Sequence, residues 1–244
     1  MSGVVKRIAL YGGSFDPVHT GHTSVARNLS ELFALDEVLF IPAHVAPHKR
    51  DRKVTPALQR YAMLALATQN EPRFRVSSIE LDAPERPYTV ETLGRLQETL
   101  GREARLFFVM GADSWTEIRT WREWERVLEM AEHIVVTRPG YELDASHVTE
   151  AVRERIVDVR GATRETVERE LAREEGRKIY LTDAVELDVS ATAIREAVRK
   201  GAASEMLERF VAPEVADFIR KYRLYRNTHE TESFEAGSQD EARG

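Results

Sequence analysis

Two short segments carry residue types that suit phosphate chemistry. The first runs Gly12-Gly13-Ser14-Phe15-Asp16-Pro17-Val18-His19-Thr20-Gly21-His22. Gly12 and Gly13 lack a Cβ, so the backbone can approach a ligand closely and tolerates positive φ. A helix starting after them offers unpaired N–H groups and the positive end of its dipole, both favourable to phosphate. Asp16 suits a turn and Pro17 fixes the entry. His19 and His22 are three apart and share a helix face, with Gly21 leaving room beside them. Two imidazoles can donate hydrogen bonds and, when protonated, supply positive charge. Metal chelation is the alternative for histidines so spaced, but no further ligand is evident beside them.

The second segment is Val189-Ser190-Ala191-Thr192-Ala193-Ile194-Arg195, ahead of an amphipathic stretch. Ser190 or Thr192 can cap a helix there, and Arg195 then projects from its first turn. Hydroxyls, free N–H groups and a guanidinium together make a cradle for a polyphosphate. Alone, the pattern is also that of an ordinary capped helix with a solvated Arg.

The elements that must hold these segments alternate. Arg7–Tyr11 is a buried strand running into a turn at Gly12-Gly13, residues 21–35 have helical apolar spacing, and Glu37–Ile41 is a second buried strand. Such a βαβ unit implies parallel strands. Further along, Phe74–Val76, Ile79–Leu81, Arg105–Met110, His133–Thr137 and Lys178–Leu181 read as strands. Helices are expected from Pro56 to Ala67, Thr89 to Leu100 (closed by Gly101), Glu123 to Met130, Ala191 to Lys200 and Pro213 to Tyr222. The charged stretch Glu150–Arg177 reads as exposed helices inserted between two strands. In an open parallel sheet, ligands sit at the carboxyl ends of the strands, where both phosphate-suited segments fall.

Composition bounds the alternatives. The chain of 244 residues is 42% hydrophobic and 31% charged, which reads as soluble and globular. No apolar run approaches the roughly 18 residues of a membrane span. Met1–Leu10 has neither a long apolar stretch nor a small-residue cleavage site, so no secretory signal is expected and a cytoplasmic address fits. Cysteine is absent, which excludes disulfides, thiolate metal sites and cysteine nucleophiles. Net charge is −6, of which the segment 227–244 contributes −4, leaving −2 for the rest. That segment reads as a disordered acidic tail, and the nearly neutral body argues against a nucleic-acid partner. Residues 1–226 read as one domain, with 150–177 as a charged helical insertion. A homo-oligomer is compatible with the sequence but not required by it.

The first segment, GGSFDPVHTGH, resembles the signature of the HxGH nucleotidyltransferases, and VSATAIR resembles that superfamily's second phosphate motif, with Val189 for Ile and Ala191 for a second Ser. Three further segments are similar to those of bacterial nicotinate-nucleotide adenylyltransferases. They are IPAHVAPHK, ending at Lys49; PYTVETL, containing Tyr88 and Thr89, with Thr89 a plausible N-cap; and Gly111-Ala112-Asp113-Ser114-Trp115 with Trp121 downstream. Arg138-Pro139-Gly140-Tyr141 also matches. The resemblance covers roughly Arg7 to Arg226, poorly over Glu150–Arg177.

The resemblance implies a Rossmann-like doubly wound parallel α/β sheet with C-terminal helices. It implies adenylyl transfer from ATP to nicotinate mononucleotide in NAD biosynthesis, with Mg²⁺ accompanying ATP and no dedicated protein metal site. His19, His22 and Arg195 are then the catalytic group. Gly12, Gly13, Ser14, Phe15, Gly21, Gly111, Asp113, Ser190, Thr192 and Ile194 contact ATP. Lys49, Tyr88, Thr89 and Trp121 contact the acceptor, with Trp121 as a flat stacking face. A core role beside Trp115 and Trp124 is the competing assignment for Trp121. Nicotinamide mononucleotide and pantetheine phosphate are rival acceptors, and a nucleotide-binding regulator without turnover is the rival from another class.

Overall fold

Strands that are apolar on both faces belong in a parallel sheet covered on both sides. The computed structural model describes residues 5–44, 54–83, 85–101, 104–137, 144–173, 176–184, 189–201 and 203–226. In chain order the elements are β1 (Lys6–Gly13), α1 (Thr20–Leu32), β2 (Glu37–Pro42), α2 (Ala57–Thr68), β3 (Phe74–Val76), α3 (Thr89–Leu100), β4 (Ala104–Gly111), α4 (Ala112–Thr116), a 3-10 turn (Ile118–Thr120), α5 (Trp124–Met130) and β5 (Glu132–Val136). They continue with α6 (Glu150–Arg153), β6 (Ile156–Asp158), α7 (Arg164–Leu171), β7 (Ile179–Thr182), α8 (Ala191–Arg199), α9 (Ala203–Phe210) and α10 (Pro213–Lys221).

The strands form one sheet of seven, ordered β3-β2-β1-β4-β5-β7-β6, and every pairing is parallel. Side chains alternate between its faces. Ile8 and Leu10 of β1, Leu106, Phe108 and Met110 of β4, and Val135 of β5 pack with α3, α4 and α5 through Val90, Leu93, Trp115 and Val127. Ala9, Phe107, Val109, Ile134 and Val136 pack with α1, α2, α7, α8 and α10 through Leu29, Met63, Val167, Ile194 and Val215. Burying each large apolar side chain contributes about 1.5–3 kcal/mol, so these two layers dominate stability. Glu132, almost fully buried at the start of β5, is held by Arg105 of β4, whose Nε donates to Oε2 at 2.6 Å.

The chain leaves β1 for β2 and β3 on one side, then returns to β4 on the other. The carboxyl ends of β1 and β4 therefore flank the topological switch point, where open α/β sheets bind ligands. Gly12 and Gly13 end β1, and Gly111 ends β4.

Several expectations need correction. Gly12 and Gly13 are not a turn: they are the last residues of β1, in register with Ile41 and Pro42 of β2. Ile79–Leu81 is not a strand but a turn, closed by the Asp82 N–H on the Ser78 carbonyl at 2.9 Å and by Ser78 Oγ on Asp82 Oδ2 at 2.6 Å. Glu150–Arg177 is not helical throughout. It contains β6, which pairs with β7 at the sheet edge, so Ile156 is a strand residue and Val159 is buried just beyond it. α7 is not simply exposed, since Val167 and Leu171 join the core. Helix α9 has no counterpart among the expected helices. The Arg138–Tyr141 match and the acidic tail lie outside the described residues.

Candidate active site

β1 delivers the first phosphate-suited segment to the switch point. Phe15 takes the left-handed backbone (φ 47°), whereas neither Gly12 nor Gly13 has positive φ. The glycines matter through space instead. A Cβ on Gly13 would lie 2.9 Å from the Phe15 ring. A Cβ on Gly21 would lie 3.0 Å from both His19 Nδ1 and Val189 Cγ1. Gly21 thus lets the start of α1 pack directly against the second segment.

His19 is the N-cap of α1, with extended backbone, and its carbonyl accepts the His22 N–H at 2.9 Å. The His19 N–H in turn donates to His22 Nδ1 at 3.2 Å. In its neutral form His22 must then carry its ring proton on Nε2. The two rings lie 3.8 Å apart, tilted by 32°, and Phe15 meets His22 edge-on at 5.0 Å. His19 is 8% exposed, and burial lowers its pKa to about 4. It is therefore a neutral imidazole near pH 7, not a cation. Its Nδ1 is buried with no partner among the described residues, and a buried polar atom of this kind is costly unless a ligand satisfies it.

Ser190 caps α8, its Oγ accepting the Ala193 N–H at 3.2 Å, so the cap falls to Ser190 rather than Thr192. Arg195 sits in the second turn of α8, not the first. Its guanidinium donates to the Asp16 carbonyl at 2.6 Å and to Thr192 Oγ1 at 3.0 Å. The two segments, far apart in sequence, are thus joined directly. Ile194 is fully buried in the core, so its side chain is structural.

Behind the loop lies a network with no local sequence signal. Arg60 of α2, 1% exposed, donates to four carbonyls: Thr55 at 2.8 Å, Ser14 at 2.7 Å, Ala43 at 2.6 Å and His44 at 3.2 Å. It pins the end of β1 to the exit of β2. The buried Asp16 carboxylate accepts Tyr225 Oη at 2.8 Å and the Thr55 N–H at 3.4 Å. Glu80 accepts from Thr92 Oγ1 at 3.0 Å and from the His44 N–H at 3.2 Å, and burial raises its pKa.

Of the expected acceptor residues, Tyr88 and Thr89 open α3 and Trp121 follows the 3-10 turn. Tyr88, not Thr89, is the N-cap of α3, and its N–H donates to Glu91 Oε2 at 3.0 Å. Thr89 is the first helical residue. The Arg122 guanidinium lies over the exposed Tyr88 ring at 4.7 Å. Tyr88 and Arg122, with Arg86, Glu91 and Arg95, line a cleft of about 410 Å³, and Thr89 is not among its lining residues. Trp121 is half-buried and meets Phe108 edge-on at 6.0 Å. Phe108 also reaches Gly12, whose Cβ would lie 3.7 Å from its ring, so Trp121 is linked to the end of β1 through one side chain. Asp113 is exposed on α4, one strand from β1. Lys49 lies outside the described residues. A larger cleft of about 540 Å³, lined by Asn28, Gly161 and Asp183 among others, contains none of the expected phosphate contacts.

A parallel α/β sheet whose switch point carries two phosphate-suited segments joined through Arg195 and Asp16 is suited to binding a nucleotide. The cytidylyltransferase-like family model matches residues 10–197. A protein of Desulfatibacillum aliphaticivorans named probable nicotinate-nucleotide adenylyltransferase is 36% identical over 228 residues, covering 90% of this chain and 99% of that protein. One of the same name from Thermoanaerobacter sp. strain X514 is 35% identical, covering 92% of this chain and 96% of that protein. The chain belongs to the nicotinate-nucleotide adenylyltransferase family. Its fold is shared with the Plasmodium falciparum nicotinic acid mononucleotide adenylyltransferase complexed with NaAD, at a TM-score of 0.66 and 22% identity over 90% of this chain and 97% of that one.

Proposed function

We propose that the protein transfers the adenylyl group of ATP to the 5′-phosphate of nicotinate mononucleotide, releasing pyrophosphate and forming nicotinate adenine dinucleotide. The carrying observation is the Arg195–Asp16 junction, which brings the two phosphate-suited helix starts to one edge of the sheet.

The acceptor phosphate is already anionic near neutral pH, so attack on the α-phosphorus needs no general base. The barrier is charge, because anionic groups must meet and pyrophosphate must leave with more charge. Catalysis is then positioning and electrostatic stabilisation. His22, its tautomer set by the His19 N–H, presents an Nε2 proton to a phosphate oxygen in the transition state. His19, kept neutral by burial, contributes a hydrogen bond through Nδ1. Ser190, Thr192, the first N–H groups of α8 and Arg195 take the β- and γ-phosphates, and Gly12, Gly13 and Gly111 leave room for the nucleotide. Ser14, Phe15, Gly21 and Asp113 shape that subsite. Tyr88, Thr89 and Trp121 take the pyridine ring and its carboxylate, and Lys49 the acceptor phosphate.

No group of three or more His, Cys, Asp or Glu among the described residues fits a metal cage. The carboxylate of the first segment, Asp16, is already bonded to Tyr225 and Thr55. Mg²⁺ accompanying ATP would neutralise part of the phosphate charge.

Residues 1–226 act as one domain in this reading, in the cytoplasm. No helix among the described residues is long and apolar enough to cross a membrane. Incubation with ATP, Mg²⁺ and nicotinate mononucleotide, with products identified by mass, tests it. The dinucleotide and pyrophosphate are expected in equal amounts. Pyrophosphate matched by AMP alone would contradict it.

A further inference from the structure

The Asp16 carboxylate presents a chemical problem that the assigned roles do not solve. It is 5% exposed and belongs to the same residue whose carbonyl holds Arg195 at 2.6 Å. Carbonyl and carboxylate belong to one residue, so rotation about the two side-chain bonds of Asp16 sets how far the anion stands from the guanidinium. A bidentate ion pair there would hold Arg195 through two charge-assisted bonds in place of the one to the carbonyl. An Arg195 so captured would be withdrawn from any phosphate. Arg60, the other cation facing Asp16, has its four described bonds on carbonyls and none on this carboxylate.

What occupies the carboxylate comes from the far end of the described chain. Tyr225 follows α10 in the left-handed region (φ 66°), and its hydroxyl donates to Asp16 Oδ1 at 2.8 Å. The Thr55 N–H takes Oδ2 at 3.4 Å. We propose that Tyr225 is a positioning residue that restrains the Asp16 carboxylate and so keeps Arg195 on a neutral carbonyl, from which it can be surrendered to the ATP phosphates. This rests on the phosphate role given to Arg195 above. A neutral donor is the right chemistry: it satisfies the anion without adding a charge that would compete for the phosphates.

The test is ATP saturation kinetics and thermal midpoints for wild type, Tyr225→Phe, Asp16→Asn with Tyr225→Phe, and Arg195→Ala. Tyr225→Phe frees Oδ1 and leaves only the long Thr55 bond on the carboxylate, so the KM for ATP is expected to rise about ten-fold, toward the value of Arg195→Ala. The double variant carries a neutral amide that cannot form the ion pair, and it is expected to recover most of that loss. A merely structural role for Tyr225 would make the double variant as poor as the single one or poorer. An unchanged KM for ATP in Tyr225→Phe overturns the proposal, as does a double variant that does not recover. If Arg195→Ala itself leaves ATP handling unchanged, the phosphate role of Arg195 falls and this inference with it. If Tyr225→Phe alone does not fold, the double variant decides against Arg195→Ala: a clearly lower KM supports the proposal, and an equal one overturns it.

Discussion

The main-chain N–H of His19 donates to Nδ1 of His22 at 3.2 Å, and the two imidazole rings stack with centroids 3.8 Å apart. One backbone bond thereby fixes the orientation of His22 and the nitrogen that carries its proton when neutral. His22→Ala removes that donor while leaving the cap carbonyl of His19 in place. Turnover is expected to fall on the order of 10²–10³-fold, with the thermal midpoint close to wild type. A folded His22→Ala protein that turns over at the wild-type rate would remove His22 from the mechanism.

Two buried histidines tie stability to pH. Burial lowers His19 to about 4, and burial together with the nearby Arg155 charge lowers His133, fully enclosed in β5, to about 3. In the unfolded chain both titrate near about 6.5. Below that value the unfolded state takes up protons that the folded state refuses, so their contribution is complete above about pH 6.5 and drains as the pH falls toward the folded values. Each group costs about 1.4 kcal/mol per pH unit in that window. Urea midpoints between about pH 7 and about pH 5 should fall steeply, and less steeply for His133→Leu. Equal slopes for the two proteins would show that His133 is not the group responsible.

Gly21 is expected to tolerate no side chain, for a reason of space rather than backbone conformation. An added Cβ sits 3.0 Å from His19 Nδ1 and from Val189 Cγ1, so either the imidazole or the second segment must move. Overpacking of this kind costs about 1–3 kcal/mol. Because both displaced groups belong to the site, Gly21→Ala should lose far more activity than its shift in thermal midpoint explains. Activity retained in proportion to folded protein would contradict the close packing seen here.

Arg60 should behave as a structural cation. Arg60→Lys keeps the charge but cannot span four carbonyls, leaving buried acceptors unpaired at a cost of about 1–3 kcal/mol each. Chemical denaturation is expected to show a loss of several kcal/mol. A stability within about 0.5 kcal/mol of wild type would mean that these bonds are readily replaced by water.

The strands and the phosphate-suited segments were legible because their signals are local. Arg105–Met110 and Glu37–Ile41 are continuous apolar runs of the kind a two-faced sheet requires, and the glycine–histidine segment is contiguous. Ile79–Leu81 misled because two apolar residues flanking a charge imitate a strand, while the Ser78–Asp82 bond that makes it a turn is a side-chain contact. Ile156–Asp158 was missed because three residues among charges show no periodicity; pairing with β7 decides it. Gly12 and Gly13 were read as tolerating a positive φ that neither has, and the neighbour that crowds Gly13 is Phe15; Gly21 was read as leaving room beside the histidines, and its neighbours are His19 and Val189. Arg60, Glu80 and Tyr225 could not be read at all, because their partners lie between 5 and 209 residues away along the chain.

The most direct test is pyrophosphate release from ATP and Mg²⁺ with nicotinate mononucleotide, nicotinamide mononucleotide or pantetheine phosphate as acceptor. Fast release with the nicotinate acceptor, and slow release with the other two, is the expected result. Release with pantetheine phosphate alone would leave the fold and phosphate chemistry standing but contradict the acceptor assignment at Tyr88, Thr89 and Trp121, and no release with any acceptor would contradict the proposed reaction itself.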